Sequence, residues 1–311
     1  MMKTAFLFPG QGSQYVGMGK ELCDRFPYVR ETFAEANETL GIDLQGLCFG
    51  GPEDELMLTA NTQPCILTVS VVALHVLSQE TGSRADYVAG HSLGEFSALV
   101  AAQALKFRDA VRLVRLRGQF MQEAVPVGEG GMAAILGMER EQIEELCRRA
   151  ADGQVLAPAN FNAPGQVVIS GNLEAIQRGV QMATDMGAKK AVQLQVSAPF
   201  HCRLMESAAS RLQEALEDVN MADLAIPVVT NVEARENNLK DRVKDLLVRQ
   251  VTSPVRWDES VYRMVELGVG HFLEVGPGRV LSGLMRRIER NADVFNIEDV
   301  KSLEKVKSAA S

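Results

Sequence analysis

One short segment holds a serine in a setting that suits a nucleophile. Gly90-His91-Ser92-Leu93-Gly94 matches the pattern G-x-S-x-G, follows a run that predicts a strand, and precedes a helical pattern. The small residues permit a tight turn that lifts the Ser92 hydroxyl above a sheet and aims helix N–H groups at an oxyanion. The alternative is a glycine-bounded turn whose serine only caps a helix. The position of the pattern favours the nucleophile.

A serine nucleophile needs a base, and the chain contains four histidines. His75 falls in an apolar helical pattern and His271 opens an apolar strand, so we expect both in the core. His91 adjoins Ser92, and neighbouring side chains in such a turn point apart. His201 stands between a strand and a helix, where α/β sheets collect site residues. We predict His201 as the general base, with a helix-capping or core histidine as the alternative.

Arg117 is predicted to be a buried cation. The helical pattern over residues 107–124 places it on an apolar face, and the other members of that face are Ala110, Leu113, Phe120 and Ala124. A guanidinium in such surroundings costs several kcal/mol unless it meets an anion. Its planar fork suits a carboxylate taken through two hydrogen bonds. Two interpretations stay open, a receptor for a substrate carboxylate and an internal ion pair with Asp or Glu.

The composition belongs to an ordinary globular protein. The 311 residues are 46% hydrophobic and 23% charged, which excludes disordered and collagen-like classes. The formal charge of -8 argues against nucleic acid or an anionic membrane as partner. The five cysteines contain no C-x-x-C pair and are typical of reduced thiols, and no residue set has metal-ligand spacing. The apolar runs are too short for a secretory signal or a membrane span, so we expect a cytoplasmic protein.

Strand-like runs alternate with helical patterns along most of the chain, which predicts a parallel sheet covered by helices. The last predicted strand covers residues 271–275. Between residues 132 and 196 the order strand-helix-strand-strand-helix-strand predicts a ferredoxin-like unit, with hinges at 126–131 and 198–199. We therefore predict a discontinuous large α/β domain from residues 1–126 and 198–311. Residues 127–197 would form a small inserted domain.

Seven motifs in a fixed order carry a family resemblance. The chain resembles the malonyl-CoA:acyl carrier protein transacylases of fatty acid synthesis, and the match covers nearly its whole length. Each motif is weak alone, but the ordered set is specific. It implies a hydrolase-like α/β domain with a ferredoxin-like insertion. The motifs are Gly10-Gln11-Gly12-Ser13-Gln14, Gly90-His91-Ser92-Leu93-Gly94-Glu95, Arg117, Asn162-Ala163-Pro164-Gly165-Gln166, Phe200-His201, Gln250 and Glu274-Val275-Gly276-Pro277-Gly278.

The resemblance implies catalytic roles for matched residues. Ser92 would be the acylated nucleophile and His201 its general base. Gln250 would orient the histidine through its main-chain carbonyl, in place of the acid of a Ser-His-Asp triad. The main-chain N–H groups of Gln11 and Leu93 would form the oxyanion hole. The loop after the first strand can supply such a donor in serine hydrolases of this architecture, which agrees with the place of Gln11.

Further residues would select the substrate. Arg117 matches the arginine that holds the malonyl carboxylate, and Phe200 and Met121 would lie beside it. Leu93 and Phe200 are bulky and apolar where relatives that take methylmalonyl units commonly carry Gln and Ser. This favours an unbranched malonyl group. The resemblance implies malonyl-CoA and acyl carrier protein as partners and no cofactor, since the CoA thioester is a substrate.

Carrier proteins of this pathway are acidic, so a chain of charge -8 needs a local positive surface to dock one. Lys189, Lys190, Arg286 and Arg287 are the candidates, with ordinary solvated charge as the alternative. Nothing in the sequence requires more than a monomer. Other functions stay open: a serine thioesterase or esterase, a non-catalytic docking subunit, and a free-standing loader of a polyketide-type assembly line.

Overall fold

The structure is a computed structural model that describes residues 2–196 and 198–310. Met1, Ser197 and Ser311 lie outside the described residues. The predicted boundary between the small domain and the second half of the large one therefore falls on a residue that is not described. The strands are β1 (Lys3–Phe8), β2 (Tyr87–Gly90), β3 (Gly130–Leu136), β4 (Leu156–Ala163), β5 (Gln166–Asn172), β6 (Lys190–Gln193), β7 (Val228–Val229), β8 (Glu236–Asn237), β9 (Val255–Arg256), β10 (Val269–Val275) and β11 (Asp293–Ile297).

Helices separate most of these strands, as the alternating pattern predicts. Two short 3-10 helices, Pro27–Val29 and Arg203–Met205, lead directly into the longer helices that begin at Arg30 and Glu206. The α-helices are α1 (Lys20–Arg25), α2 (Arg30–Leu40), α3 (Leu44–Gly50), α4 (Glu53–Met57), α5 (Thr59–Thr81), α6 (Gly94–Ala101), α7 (Phe107–Glu123), α8 (Arg140–Ala151), α9 (Leu173–Asp185), α10 (Glu206–Glu217), α11 (Lys240–Thr252), α12 (Trp257–Glu266), α13 (Val280–Ile288) and α14 (Val300–Ala310).

The larger sheet has the order β11-β10-β1-β2-β7-β8 and is parallel except for the pair β7–β8. Its central strand β1 is buried on both faces: Phe6 and Phe8 belong to one apolar cluster, and Ala5 and Leu7 to another. This is the burial that a parallel sheet between two helical layers requires. The predicted hydrolase-like α/β fold class is confirmed.

Two strands of this sheet, β8 and β11, were not predicted. β11 pairs in parallel with β10, so the strand at residues 271–275 is not the last one. β11 lies at the edge of the sheet, and four of its five residues are exposed or half-buried. An edge strand with polar residues such as Asp293 and Asn296 has no continuous apolar run, and the sequence pattern is correspondingly weak.

The second sheet has the order β6-β3-β5-β4-β9. Its first four strands are antiparallel to their neighbours and, with α8 and α9, form the predicted ferredoxin-like unit. β9 comes from residues 255–256 and pairs in parallel with β4, so a strand from the second half of the chain extends the inserted sheet. The domain boundaries at residues 126–127 and 197–198 stay a prediction.

In the described part of the chain, α5 is the one helix long and apolar enough to cross a membrane. Its most apolar window is 78% buried inside the protein. α5 packs against α6 and α7, and its side chains contribute to the largest apolar cluster. It is therefore a core helix, and it supports α7, which carries Arg117.

Candidate active site

Ser92 occupies a strained turn between β2 and α6. Its φ of 50° lies in the left-handed region, which costs a non-glycine residue roughly 1–3 kcal/mol. The flanking glycines are required by contact: a Cβ at Gly90 would overlap the backbone of Gly94, and a Cβ at Gly94 would overlap the carbonyl of Phe8. The G-x-S-x-G pattern is thus explained by the close approach of three backbone segments.

The structure brings Ser92, His201 and Gln250 together across 158 residues of chain. The Ser92 Oγ lies 2.8 Å from the His201 Nε2, and the His201 Nδ1 lies 2.9 Å from the main-chain carbonyl of Gln250. Since a carbonyl only accepts, Nδ1 carries the proton and Nε2 presents its lone pair to the serine hydroxyl. This is the arrangement that a general base for Ser92 needs.

His201 is held neutral by its surroundings. It is 4% exposed, and burial together with the charge of Arg117 lowers its pKa to about 3. A neutral imidazole at physiological pH can accept the serine proton. His201 also has a φ of 60°, so the backbone is strained at both members of the pair.

Arg117 is buried beside the serine, at 2% exposure. Its Nη2 donates to the Ser92 Oγ and to the Gln250 Oε1, both at 3.0 Å, and its Nη1 donates to the Gln63 Oε1 at 2.7 Å. Among the described residues no Asp or Glu forms an ion pair with it, and its Nε has no partner. Burial lowers its pKa to about 10, so it stays charged at neutral pH. A buried cation held only by neutral oxygens favours an anion as its ligand.

Two further buried residues fix the turn, and sequence reasoning missed both. Asn231, which follows β7, accepts the Ser92 N–H at its Oδ1 (2.6 Å) and donates its Nδ2 to the Gly90 carbonyl (2.7 Å). The Glu95 Oε2 accepts the Asn231 N–H and the Gln250 Nε2, each at 2.9 Å. Burial raises the pKa of Glu95 to about 7. The position of Glu95 at the end of the serine motif could have identified it from the sequence. No sequence pattern distinguished Asn231 or Gln63.

A cleft of about 370 Å³ opens above this cluster, between the carboxyl ends of β1 and β2 and the second sheet. Gln11 and Leu93 line it beside Ser92, and within the described residues neither main-chain N–H has an acceptor. The Gln11 side chain is held by the Thr59 hydroxyl at 3.2 Å. Phe200 and Met121, predicted from the resemblance, also line the cleft. The second sheet contributes Met132, Asn160, Asn162, Gln166 and Val168, and Leu194 follows its strand β6.

The expectation that His75 and His271 are core residues was wrong. His75 is exposed, because it falls on the solvent side of α5. The side chain of His271 is 41% exposed and lies 3.2 Å from Asp293 on the edge strand β11. The sequence pattern cannot show that one position in an apolar stretch is exposed, because exposure depends on how the neighbouring elements pack. His91 points away from the base, with its Nε2 2.8 Å from the Asn162 Oδ1.

The four predicted carrier-docking residues lie on the surface. Lys189 and Lys190 are exposed at the start of β6, and Arg286 and Arg287 are exposed on α13. The Arg287 Nη1 donates to the Gln166 Oε1 at 2.7 Å, which connects α13 to the cleft-lining end of β5. In the part of the chain that the structure describes, none of the four forms an ion pair with a carboxylate. Their role in docking stays a prediction.

A parallel sheet, a serine in a tight turn and a histidine within hydrogen-bond distance define the class of α/β serine enzymes that act on acyl groups. In residues 2–196 and 198–310 no group of His, Cys, Asp and Glu could hold a metal ion. The acyl transferase domain family matches residues 5–307. The chain belongs to this family.

Relatives of known sequence and structure resemble the chain over nearly its whole length. It is 47% identical to the malonyl CoA-acyl carrier protein transacylase of Bacillus subtilis (98% of this chain, 96% of the relative). It is 50% identical to that of Escherichia coli (93% of each). The solved structure of the malonyl CoA-acyl carrier protein transacylase of Coxiella burnetii aligns with a TM-score of 0.97 and 43% identity, and the alignment covers 99% of this chain and 97% of the other. A malonyl-transacylase solved in complex with a type II polyketide synthase acyl carrier protein aligns at 0.96 and 46% identity (99% of each).

Proposed function

We propose that this chain transfers the malonyl group from malonyl-CoA to the phosphopantetheine thiol of acyl carrier protein, through a malonyl ester of Ser92. Relatives with this activity in their names are 47–50% identical to it. The observation that carries the proposal is the 3.0 Å between the Arg117 Nη2 and the Ser92 Oγ. A cation so close to the nucleophile selects an acyl group whose carboxylate lies one carbon from the thioester carbonyl, as in malonyl.

In the first half-reaction the Ser92 Oγ attacks the thioester carbonyl, and its proton passes to the His201 Nε2. The main-chain N–H groups of Gln11 and Leu93 donate to the oxyanion. The C–S bond then breaks, and the CoA sulfur takes the proton from His201. Arg117 exchanges its hydrogen bond to the serine for the malonyl carboxylate, and Gln250 orients His201 throughout.

In the second half-reaction the carrier thiol enters the same cleft. His201 removes the thiol proton, the sulfur attacks the Ser92 ester, and Ser92 leaves with the proton from His201. Each oxyanion donor, Gln11 and Leu93, contributes about 2.7–4 kcal/mol to lowering the barrier. One thioester is exchanged for another, so the atoms balance without a redox or metal cofactor.

Several finer points belong to this proposal. Leu93 and Phe200 favour an unbranched malonyl group over a branched one. An acidic carrier would dock on the positive surface formed by Lys189, Lys190, Arg286 and Arg287. Supply of fatty acid synthesis is the role proposed for the product. The cytoplasmic location, the monomeric state and the domain boundaries remain predictions from the sequence.

A second candidate is a free-standing loader of a polyketide-type assembly line. It is favoured by the likeness to a transacylase solved with a type II polyketide synthase carrier. The chemistry would be the same, and only the carrier would differ. Transfer rates to holo carriers of the two pathways would separate these roles.

Intact mass spectrometry tests the proposed function. The chain mixed with malonyl-CoA should gain one malonyl group, and holo carrier protein should remove it. Ser92→Ala should gain none, and apo carrier, which lacks the thiol, should leave the adduct in place. Release of free malonate as fast as transfer would identify a hydrolase instead. Absence of any adduct on the folded wild-type chain would contradict catalysis.

A further inference from the structure

Glu95 is a buried carboxyl group, and no cation among residues 2–196 and 198–310 forms a hydrogen bond or an ion pair with it. It is 2% exposed, and both of its hydrogen bonds come from neutral donors, the Asn231 N–H and the Gln250 Nε2. Arg117 acts on it through its charge, and the Gln250 side chain links the two groups, since the Gln250 Oε1 accepts from the Arg117 Nη2 at 3.0 Å. A buried carboxylate without a direct counter-ion is costly, so its charge responds to any further charge in the site.

The geometry lets Glu95 gain a proton without losing a contact. Both donors bond to the same oxygen, Oε2, and within the described residues no donor bonds to Oε1. A proton on Oε1 leaves the bonds to Asn231 and Gln250 intact. Glu95 can therefore be neutral or negative while Gln250 and the Ser92 turn stay in place.

Few charges surround Glu95. Arg117 on α7 is the charged group that acts on it, and His201 beyond Ser92 is neutral. Burial raises the pKa of Glu95 to about 7, against the lowering effect of its hydrogen bonds to Asn231 and Gln250 and of the Arg117 charge. The other titratable side chains of elements that pack against α6, or that supply its donors, are Lys3 on β1, Cys65, His75 and Glu80 on α5, Tyr87 on β2, Arg108, Asp109, Arg112, Arg115 and Glu123 on α7, Glu233 and Arg235 after β7, and Lys240, Asp241, Arg242, Lys244, Asp245 and Arg249 on α11.

A malonyl group changes the charge balance of this site. In the empty site one positive charge, on Arg117, faces one negative charge, on ionised Glu95. The malonyl carboxylate brings a second negative charge to the same cation. Two carboxylates that share one buried cation disfavour each other's ionised form, which raises the pKa of Glu95.

We propose that Glu95 is a positioning residue that takes up a proton from solvent when a malonyl carboxylate reaches Arg117, and so couples malonyl retention to pH. This inference rests on the proposed malonyl transfer. Only an O–H bond at Oε1 forms, and no other bond breaks. Below the pKa of the empty site Glu95 is protonated in both states, so no coupling arises. Above it the malonyl enzyme holds more protons, so malonyl retention weakens as pH rises until Glu95 is ionised in both states.

The test compares two acyl groups that differ in charge. The equilibrium constants for acylation of Ser92 by malonyl-CoA and by acetyl-CoA are measured from about pH 6 to about pH 9 by intact mass. Both reactions release CoA, so ionisation of its thiol cancels in their ratio. We expect the malonyl-to-acetyl ratio to fall by about tenfold for each unit by which malonylation raises the pKa of Glu95, at least about threefold in total.

Glu95→Gln provides the matched variant, because its amide oxygen can accept both bonds that the Glu95 Oε2 accepts. We expect this variant to fold, to form both esters, and to show a ratio independent of pH. A pH-independent ratio in the wild-type chain overturns the inference, and so does a Glu95→Gln ratio that still falls with pH. If Glu95 had only a structural role, Glu95→Gln would form less of both esters. Its malonyl-to-acetyl ratio would then depend on pH as it does in the wild-type chain.

A measurement on the wild-type chain alone covers the case in which Glu95→Gln does not fold. A pH indicator in weakly buffered solution near neutral pH should report more proton uptake per malonyl ester than per acetyl ester. Equal uptake overturns the inference. If no malonyl ester forms on Ser92, the proposed function fails and this inference with it, whereas an ester with equal proton uptake overturns the inference alone.

Discussion

The two walls of the cleft differ in kind. The wall from the larger sheet and its helices consists of Arg117 and His201, which line the cleft, and of Glu95, Asn231 and Gln250, which are buried behind them. Each of these polar or ionisable groups forms at least one hydrogen bond. The wall from the second sheet contains apolar side chains and amides, and among its described lining residues none is ionisable. The ionisable groups are therefore concentrated on one wall, while the other supplies shape and neutral hydrogen-bonding groups.

This division has a physical reason. The distances among Ser92, His201 and Arg117 are set by buried hydrogen bonds within one rigid core, where loss of a partner is expensive. Among the described residues, the second sheet supplies none of the hydrogen bonds that connect these three side chains, so its position should not determine those distances. Substitutions on the first wall should thus slow acyl transfer, and substitutions on the second should mainly weaken binding.

Among substitutions that leave Ser92 in place, His201→Ala should have the largest effect on acylation by both substrates. Loss of the general base should reduce the rate of Ser92 acylation by about 10²–10⁴-fold, for malonyl-CoA and acetyl-CoA alike. Rapid-quench intact mass measures the rates. His75→Ala is the control, because His75 is exposed on α5 and should leave them unchanged. A similar loss in both variants would mean that His201 is not the base.

Asn231→Ala should have the next largest effect. It removes the acceptor of the Ser92 N–H and the donor to the Gly90 carbonyl, and each buried group left unpaired costs about 1–3 kcal/mol. We expect a lower free energy of unfolding in urea and slower acylation by both substrates. Asn291→Ala, at an exposed turn, is the control. Full stability in Asn231→Ala would show that the turn holds its shape unaided.

The smallest effect should come from the other wall. Asn162→Ala removes the hydrogen bond between β4 and His91, worth about 0.5–1.5 kcal/mol. The KM for malonyl-CoA should rise about twofold to tenfold while kcat stays near the wild-type value. Steady-state kinetics measures KM and kcat separately. A fall in kcat as large as that of His201→Ala would contradict the division between the walls.

The sequence was sufficient to predict the structural features that are determined by residues close together in the chain. The serine turn follows from glycines within two residues of Ser92, and the buried face of α7 from the spacing around Arg117. Alternating strands and helices were enough to predict that both sheets exist, but not their short or edge strands β8, β9 and β11. Each of these patterns is built from single elements and their order along the chain, so propensity and periodicity are sufficient to predict it.

The parts that could not be predicted depend on contacts between distant segments. Asn231 lies 139 residues from the serine whose N–H it accepts, and Gln63 lies 54 residues from Arg117. Nothing in their neighbourhood distinguishes them from other polar residues near strand or helix ends. The parallel pairing of β9 with β4 and the exposure of His75 likewise follow from tertiary packing.

The most direct test of the account is the selectivity of Arg117→Ala. The rate constants for acylation of Ser92 by malonyl-CoA and by acetyl-CoA are measured by rapid-quench intact mass, with Arg112→Ala, exposed on the same helix, as control. Loss of two hydrogen bonds to a charged group, about 1.5–3 kcal/mol each, predicts a fall of about 10²–10⁴-fold in the malonyl-to-acetyl ratio. Equal losses on both substrates would contradict the assignment of Arg117 as the carboxylate receptor.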